Sequence, residues 1–155
     1  MMTTLEVVGR RSLCAGLGAL ALLTACSTAP PHYKTVLTGE KEAPPVNTAA
    51  SGLSDISVRT GKCPSAGSSS DCTMLVGTVQ TTGVVVTAAH VHHGAVGQNG
   101  PVIVTLVKTG TDVWSVPLGT TLTDAQYQAY LAGQLYVNVH SDANKGGEVR
   151  AQLRP

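Results

Sequence analysis

Phenylalanine is absent from these 155 residues, Trp114 is the single tryptophan, and four tyrosines complete the aromatic set. Any core must therefore be built from Val, Leu, Ile and Ala with a few Tyr. Charge is scarce as well, at 12% of the chain. Setting aside Arg10, Arg11 and Glu6 from ten basic and nine acidic residues leaves eight of each, so nothing electrostatic argues for nucleic acid. No apolar run is long enough to span a bilayer, because Leu13 to Ala25 falls short of the roughly 20 residues a spanning helix needs. No G-x-S-x-G elbow and no Gly-rich phosphate loop between a strand and a helix is present, which removes two large enzyme classes. His140-Ser141-Asp142 has triad residue types, but sequence neighbours rarely meet in triad geometry. No Cys-x-x-Cys occurs, so a thiolate zinc site is not indicated.

What is present begins with a targeting segment. Arg10-Arg11 precedes the short apolar run, which ends Leu23-Thr24-Ala25-Cys26-Ser27. This resembles the lipobox of bacterial lipoproteins, in which the cysteine is lipidated and becomes the first mature residue. The resemblance implies a signal peptide over 1–25, a membrane anchor at Cys26 and a tether over 26–31. Ser27 after the cysteine implies the outer membrane of the cell envelope, facing the periplasm or the surface. One domain of residues 32–155 follows, long enough to bury a core of its own. Cys14 would leave with the signal and Cys26 would carry lipid. Cys63 and Cys72 remain, flanking a Ser-rich loop, and an oxidising compartment would join them as a disulfide.

Short β-branched runs recur through the domain, punctuated by Gly, Asn, Asp and Pro. Strands are expected at 33–38, 53–60, 73–80, 84–92, 102–108, 113–117, 134–140 and 148–153. Eight strands at hairpin-like spacing predict an all-β fold, an antiparallel Greek-key-like β-sandwich with one short helix. The helix lies between Thr123, whose Gln126 completes a capping box, and Gly133, which suits its stop.

Three of the five histidines fall within four residues, His90-Val91-His92-His93. On a strand, His90 and His92 share a face about 7 Å apart along the chain. They are expected to continue the face of Val84, Val86 and Ala88. Two imidazoles on one strand are half of a metal site, and His140 ends a second strand. His32, near the mature N-terminus, is expected to be solvated. The last two strands form a hairpin whose simplest register sets His140 opposite Glu148, Asn138 opposite Arg150 and Tyr136 opposite Gln152. That polar face reads either as solvated surface or as part of a site. His90 and His92 read either as metal ligands or as core-edge residues bonded to backbone. Glu42, beside Pro44-Pro45, is a further carboxylate that could stand near the histidines.

Four motifs then carry a resemblance. Thr38 to Val46 (Thr-Gly-Glu-Lys-Glu-Ala-Pro-Pro-Val), Ala88 to His92, Gly133 to Ser141, and Asn144 to Leu153 stand in the order found in the CHRD domain, named for chordin and widespread in exported bacterial proteins. The likeness runs from Tyr33 to Leu153. The segment between Cys63 and Cys72 resembles an insertion, and His93 stands where the family often has Gly. The resemblance implies a compact β-sandwich and no particular reaction. His-x-His on a strand is also locally similar to the copper strand of Cu/Zn superoxide dismutase, although that enzyme's electrostatic loop and full histidine set are not identifiable. The expected function is binding: a copper or zinc site of His90, His92 and His140, with Glu148 as a ligand or as the acceptor that orients His140. A metal-free protein-interaction module of the cell envelope is the alternative. A superoxide-dismutase-like redox enzyme comes third, since no catalytic residue is identifiable.

Overall fold

A computed structural model describes residues 33–64 and 69–155. The signal segment, Cys26, the tether and His32 lie outside the described residues. Twelve strands and one helix follow in the order β1 Thr35–Thr38, β2 Ser51–Ser54, β3 Ser57–Lys62, β4 Asp71–Val76, β5 Thr78–Thr82, β6 Ala88–His93, β7 Val102–Thr105, β8 Val107–Lys108, β9 Val113–Ser115, β10 Thr121–Leu122, α1 Asp124–Leu131, β11 Leu135–His140 and β12 Val149–Gln152.

Nine strands form one antiparallel sheet in the order β7-β6-β11-β12-β1-β2-β5-β9-β8, and three form a second, β10-β4-β3. The edges of the large sheet, β7 and β8, are separated in sequence by Leu106 alone. One stretch of chain therefore pairs with β6 at one end and β9 at the other, and the sheet nearly closes on itself. Closure hides the backbone donors and acceptors that open edges would expose. The predicted all-β antiparallel architecture with one helix holds.

The count rises from eight to twelve, with β10 a two-residue strand not anticipated from the sequence. Three expected strands turn corners. The stretch 53–60 breaks at Asp55-Ile56, where β2 leaves the large sheet and β3 enters the small one. The stretch 73–80 breaks at Gly77, which sits at φ +129°, where a Cβ would lie 2.0 Å from the Asp55 carbonyl oxygen. Only glycine lets these two corners pack together. The third break is Leu106, buried, with its N–H donating to the Ala89 carbonyl at 2.9 Å.

Leu37, Val79, Val91, Leu135, Val137, Val139, Val149 and Leu153 fill the interior with at most 1% exposure. Alternation in β6, β11 and β12 sends these residues inward and His90, His92, Tyr136, Asn138, His140, Arg150 and Gln152 to the other face. The strand begins only at Ala88, and the core side of β6 is Ala89 and Val91. His90 and His92 thus oppose the apolar stripe and do not extend it, which corrects the expectation of a continuous strand from Val84. The helix is capped as predicted: Gln126 N–H donates to Thr123 Oγ1 and the Gln126 side chain accepts from the Thr123 N–H. It buries Ala129 and Tyr130 against the core.

Candidate metal centre

Register brings the histidines together. β11 pairs with β6 so that Asn138 lies opposite His90, Tyr136 opposite His92 and His140 opposite Ala88. β11 pairs with β12 as the sequence predicts, Asn138 with Arg150 and Tyr136 with Gln152. Between β6 and β7 the register slips by one residue at Ile103, since Val91 pairs with Val104 but His92 with Val102. Such a bulge re-aims the neighbouring side chains.

Nitrogens of His90, His92 and His140 lie within 4.8 Å of one another. Backbone carbonyls set the tautomers of two of them. His92 Nδ1 is 2.9 Å from the Gly100 carbonyl and His140 Nδ1 is 2.9 Å from the Lys145 carbonyl. A carbonyl only accepts, so each Nδ1 carries the proton and each Nε2 presents a lone pair. His140 Nε2 accepts from His90 Nδ1 at 2.9 Å. His92 Nε2 is buried with no hydrogen-bond partner, and so is Asn138 Oδ1. Burial lowers the His90 pKa, and the neighbouring His140 and His92 lower it further. Burial also lowers that of His92, partly offset by its bond to Gly100. The reason is common to both, because a cation is poorly solvated there.

The surrounding polar face is not solvated surface. Arg150 is 1% exposed and Asn138 and Tyr136 are buried. The segment 94–100 lies across them: Arg150 Nη2 donates to the carbonyls of Ala95 (2.9 Å) and Gln98 (3.0 Å), and Gln152 Nε2 donates to that of Gly94 at 2.8 Å. Arg150 rests 3.4 Å from the centre of the Tyr136 ring, and that ring stacks on His92 at 4.7 Å and 4°. The His92 plane is thus held by a stack on one side and the Gly100 carbonyl at its edge. Gly100 comes this close only because it lacks a Cβ, which would fall 1.7 Å from the His93 carbonyl oxygen.

Glu148 stands apart from the role expected of it. Its carboxylate accepts from Thr48, Ser141 and Asn144 and from none of the histidines. Burial acts to raise its pKa, but the hydrogen bonds from Ser141, Thr48 and Asn144 outweigh burial and hold it below the ordinary value. The acceptor that orients His140 is the Lys145 carbonyl, a backbone atom that side-chain patterns do not signal. Glu42, 5% exposed, lies behind the histidines rather than among them. Burial pushes its carboxyl from 4.5 up to about 7, against the pull of the Arg150 charge and a hydrogen bond from Asn138. Arg150, Tyr136 and Asn138 are the residues of this layer whose role the sequence does not signal. Their signal was the odd stretch of polar alternation opposite a fully apolar face, ambiguous between water and a covering loop.

Cys63 and Cys72 lie at the β3–β4 hairpin of the small sheet, not on the strands that carry the histidines, and both are half-buried free thiols. They are close enough that the hydrogen bond with Cys63, followed by burial, pushes the Cys72 thiol up to about 11. Among the described residues no helix is long and apolar enough to cross a membrane.

The family model of the CHRD domain matches residues 33–153. The chain belongs to the CHRD domain family. No curated protein and no solved structure matches it.

Proposed function

We propose that this chain is an exported, lipid-anchored binding protein whose CHRD domain holds a copper or zinc ion between His90, His92 and His140. The observation that carries the metal reading is the convergence of one ring nitrogen each from His90, His92 and His140 within 4.8 Å. His92 Nε2 is buried beside the Asn138 side chain, with the ring's proton committed to the Gly100 carbonyl at Nδ1. An ion shared by the three rings would take the place of the proton that His90 Nδ1 donates to His140 Nε2. Carbonyl-oriented imidazoles are the usual outer support of a metal-binding histidine. Lowered pKa values suit the same role, since ligation needs neutral rings. All-imidazole donor sets suit copper and zinc better than magnesium or calcium.

The anchor is proposed from Cys26, behind a run too short to span and only a few residues before Tyr33. In that compartment Cys63 and Cys72 would be joined. Their proximity as thiols supports this.

The test is metal analysis and melting of untagged protein. Copper or zinc at 100 times its dissociation constant should stabilise the fold by about 2.7 kcal/mol. The double substitution His90→Ala/His92→Ala should remove that gain and leave the metal-free fold intact. A wild-type melting curve indifferent to both metals would refute the site and favour a metal-free interaction module.

A further inference from the structure

We infer that an ion in this centre keeps a coordination position open on its solvent side and takes a small anion or water there. This rests on the metal reading above and adds the identity of the missing ligand.

Three histidine nitrogens converge, and among the described residues no carboxylate or thiol joins them. Of the acidic residues on the hairpin that follows His140, Glu148 is already held by three donors, and Asp142 is exposed in the turn and outside the cluster. Glu42 is buried beside Asn138 and Arg150, and the two cysteines are on the other sheet. Zinc and copper(II) complete at least four positions, and zinc sites with three protein ligands commonly leave the fourth to solvent or substrate.

His92 is buried, whereas His90 and His140 are half-buried. Their neighbours toward the rim are Ala88, opposite His140, and Thr105, opposite His90 and exposed. One is a methyl group and the other a short hydroxyl on a strand edge, so neither closes that side. On the inner side Tyr136 and Asn138 fill the space. Asn138 Oδ1 is an available acceptor there, but it is neutral and buried.

Three neutral imidazoles leave the whole charge of a divalent ion uncompensated. Arg150 behind Tyr136 adds a further positive charge to the same layer. An incoming anion is therefore favoured over a neutral molecule.

The experiment uses the full chain loaded with copper(II) and titrated with azide, followed by absorption and electron paramagnetic resonance. An azide-to-copper charge-transfer band and an altered copper spectrum are expected, saturating together. The variant Thr105→His places an imidazole on the strand neighbouring His90. It should retain one copper per chain and lose most of the azide response. Failure of the wild type to load copper and zinc alike overturns the metal reading and this inference with it. A loaded wild type whose spectra ignore azide overturns the open position alone. A loaded Thr105→His protein that responds to azide as the wild type does overturns the placement of that position beside Thr105.

Discussion

Glu42 offers the sharpest test of how this polar layer is built. Its carboxyl is 5% exposed, and burial holds its pKa at about 7 against 4.5 for the free group. A raised folded-state value means that the folded domain keeps its proton when the unfolded chain has lost it. Stability from this group is therefore full below 4.5 and is lost as pH rises through 7. Each pK unit is worth 1.36 kcal/mol, so the wild type should forfeit roughly 1 kcal/mol by pH 5 and about 3 kcal/mol by pH 8. Glu42→Gln keeps the shape and a hydrogen-bonding amide but cannot ionise. Relative to wild type it should gain about 2 kcal/mol between pH 5 and pH 8. In melting temperature that is several degrees for a domain of this size. The assay is urea unfolding of both proteins at the two pH values with a chelator present. Comparing the pair cancels the histidine titrations common to both. A stability difference that does not change with pH, or that moves against the variant at pH 8, would refute the burial argument.

The remaining expectations are simpler. Because the pKa values of His90 and His92 are lowered in the fold, metal-free stability should fall as pH drops below 6.5, and metal affinity should fall over the same range as protons take the ring nitrogens; calorimetry at neutral and acid pH measures both. Cys26→Ala should release the protein from the membrane fraction or block its processing, and recovery of the unmutated protein as a soluble species with a free N-terminus would count against the anchor. With its thiol pushed up to about 11, reduced Cys72 should alkylate slowly at neutral pH and much faster in strong alkali, as mass spectrometry over a pH series would record. Gly100→Ala should destabilise the domain and loosen His92, because the added carbon meets the His93 carbonyl. Its copper affinity should drop with it.

The local elements of this domain were legible in its sequence. Period-two alternation marks β11 and β12, and the pairs Tyr136–Gln152 and Asn138–Arg150 follow from placing all apolar residues on one face. The Thr123–Gln126 box marks the helix start because both its hydrogen bonds are made within four residues. His90 and His92 share a face for the same reason, a property of any strand. These features depend on residues near one another in the chain. What the tertiary structure decided depends on residues far apart. Pairing of β11 with β6 converts two separate motifs into one cluster of three histidines. Corners at Asp55-Ile56, Gly77 and Leu106 divide expected strands, since a sheet that closes must bend where its neighbours allow. The face of Arg150, Asn138 and Tyr136 is buried because the segment 94–100 crosses it and supplies carbonyls to Arg150 and Gln152. Every residue carries the same carbonyl, so side-chain identity cannot announce which ones will orient His92 and His140. The polar alternation alone could not distinguish water from a covering loop, and only the path of the backbone did.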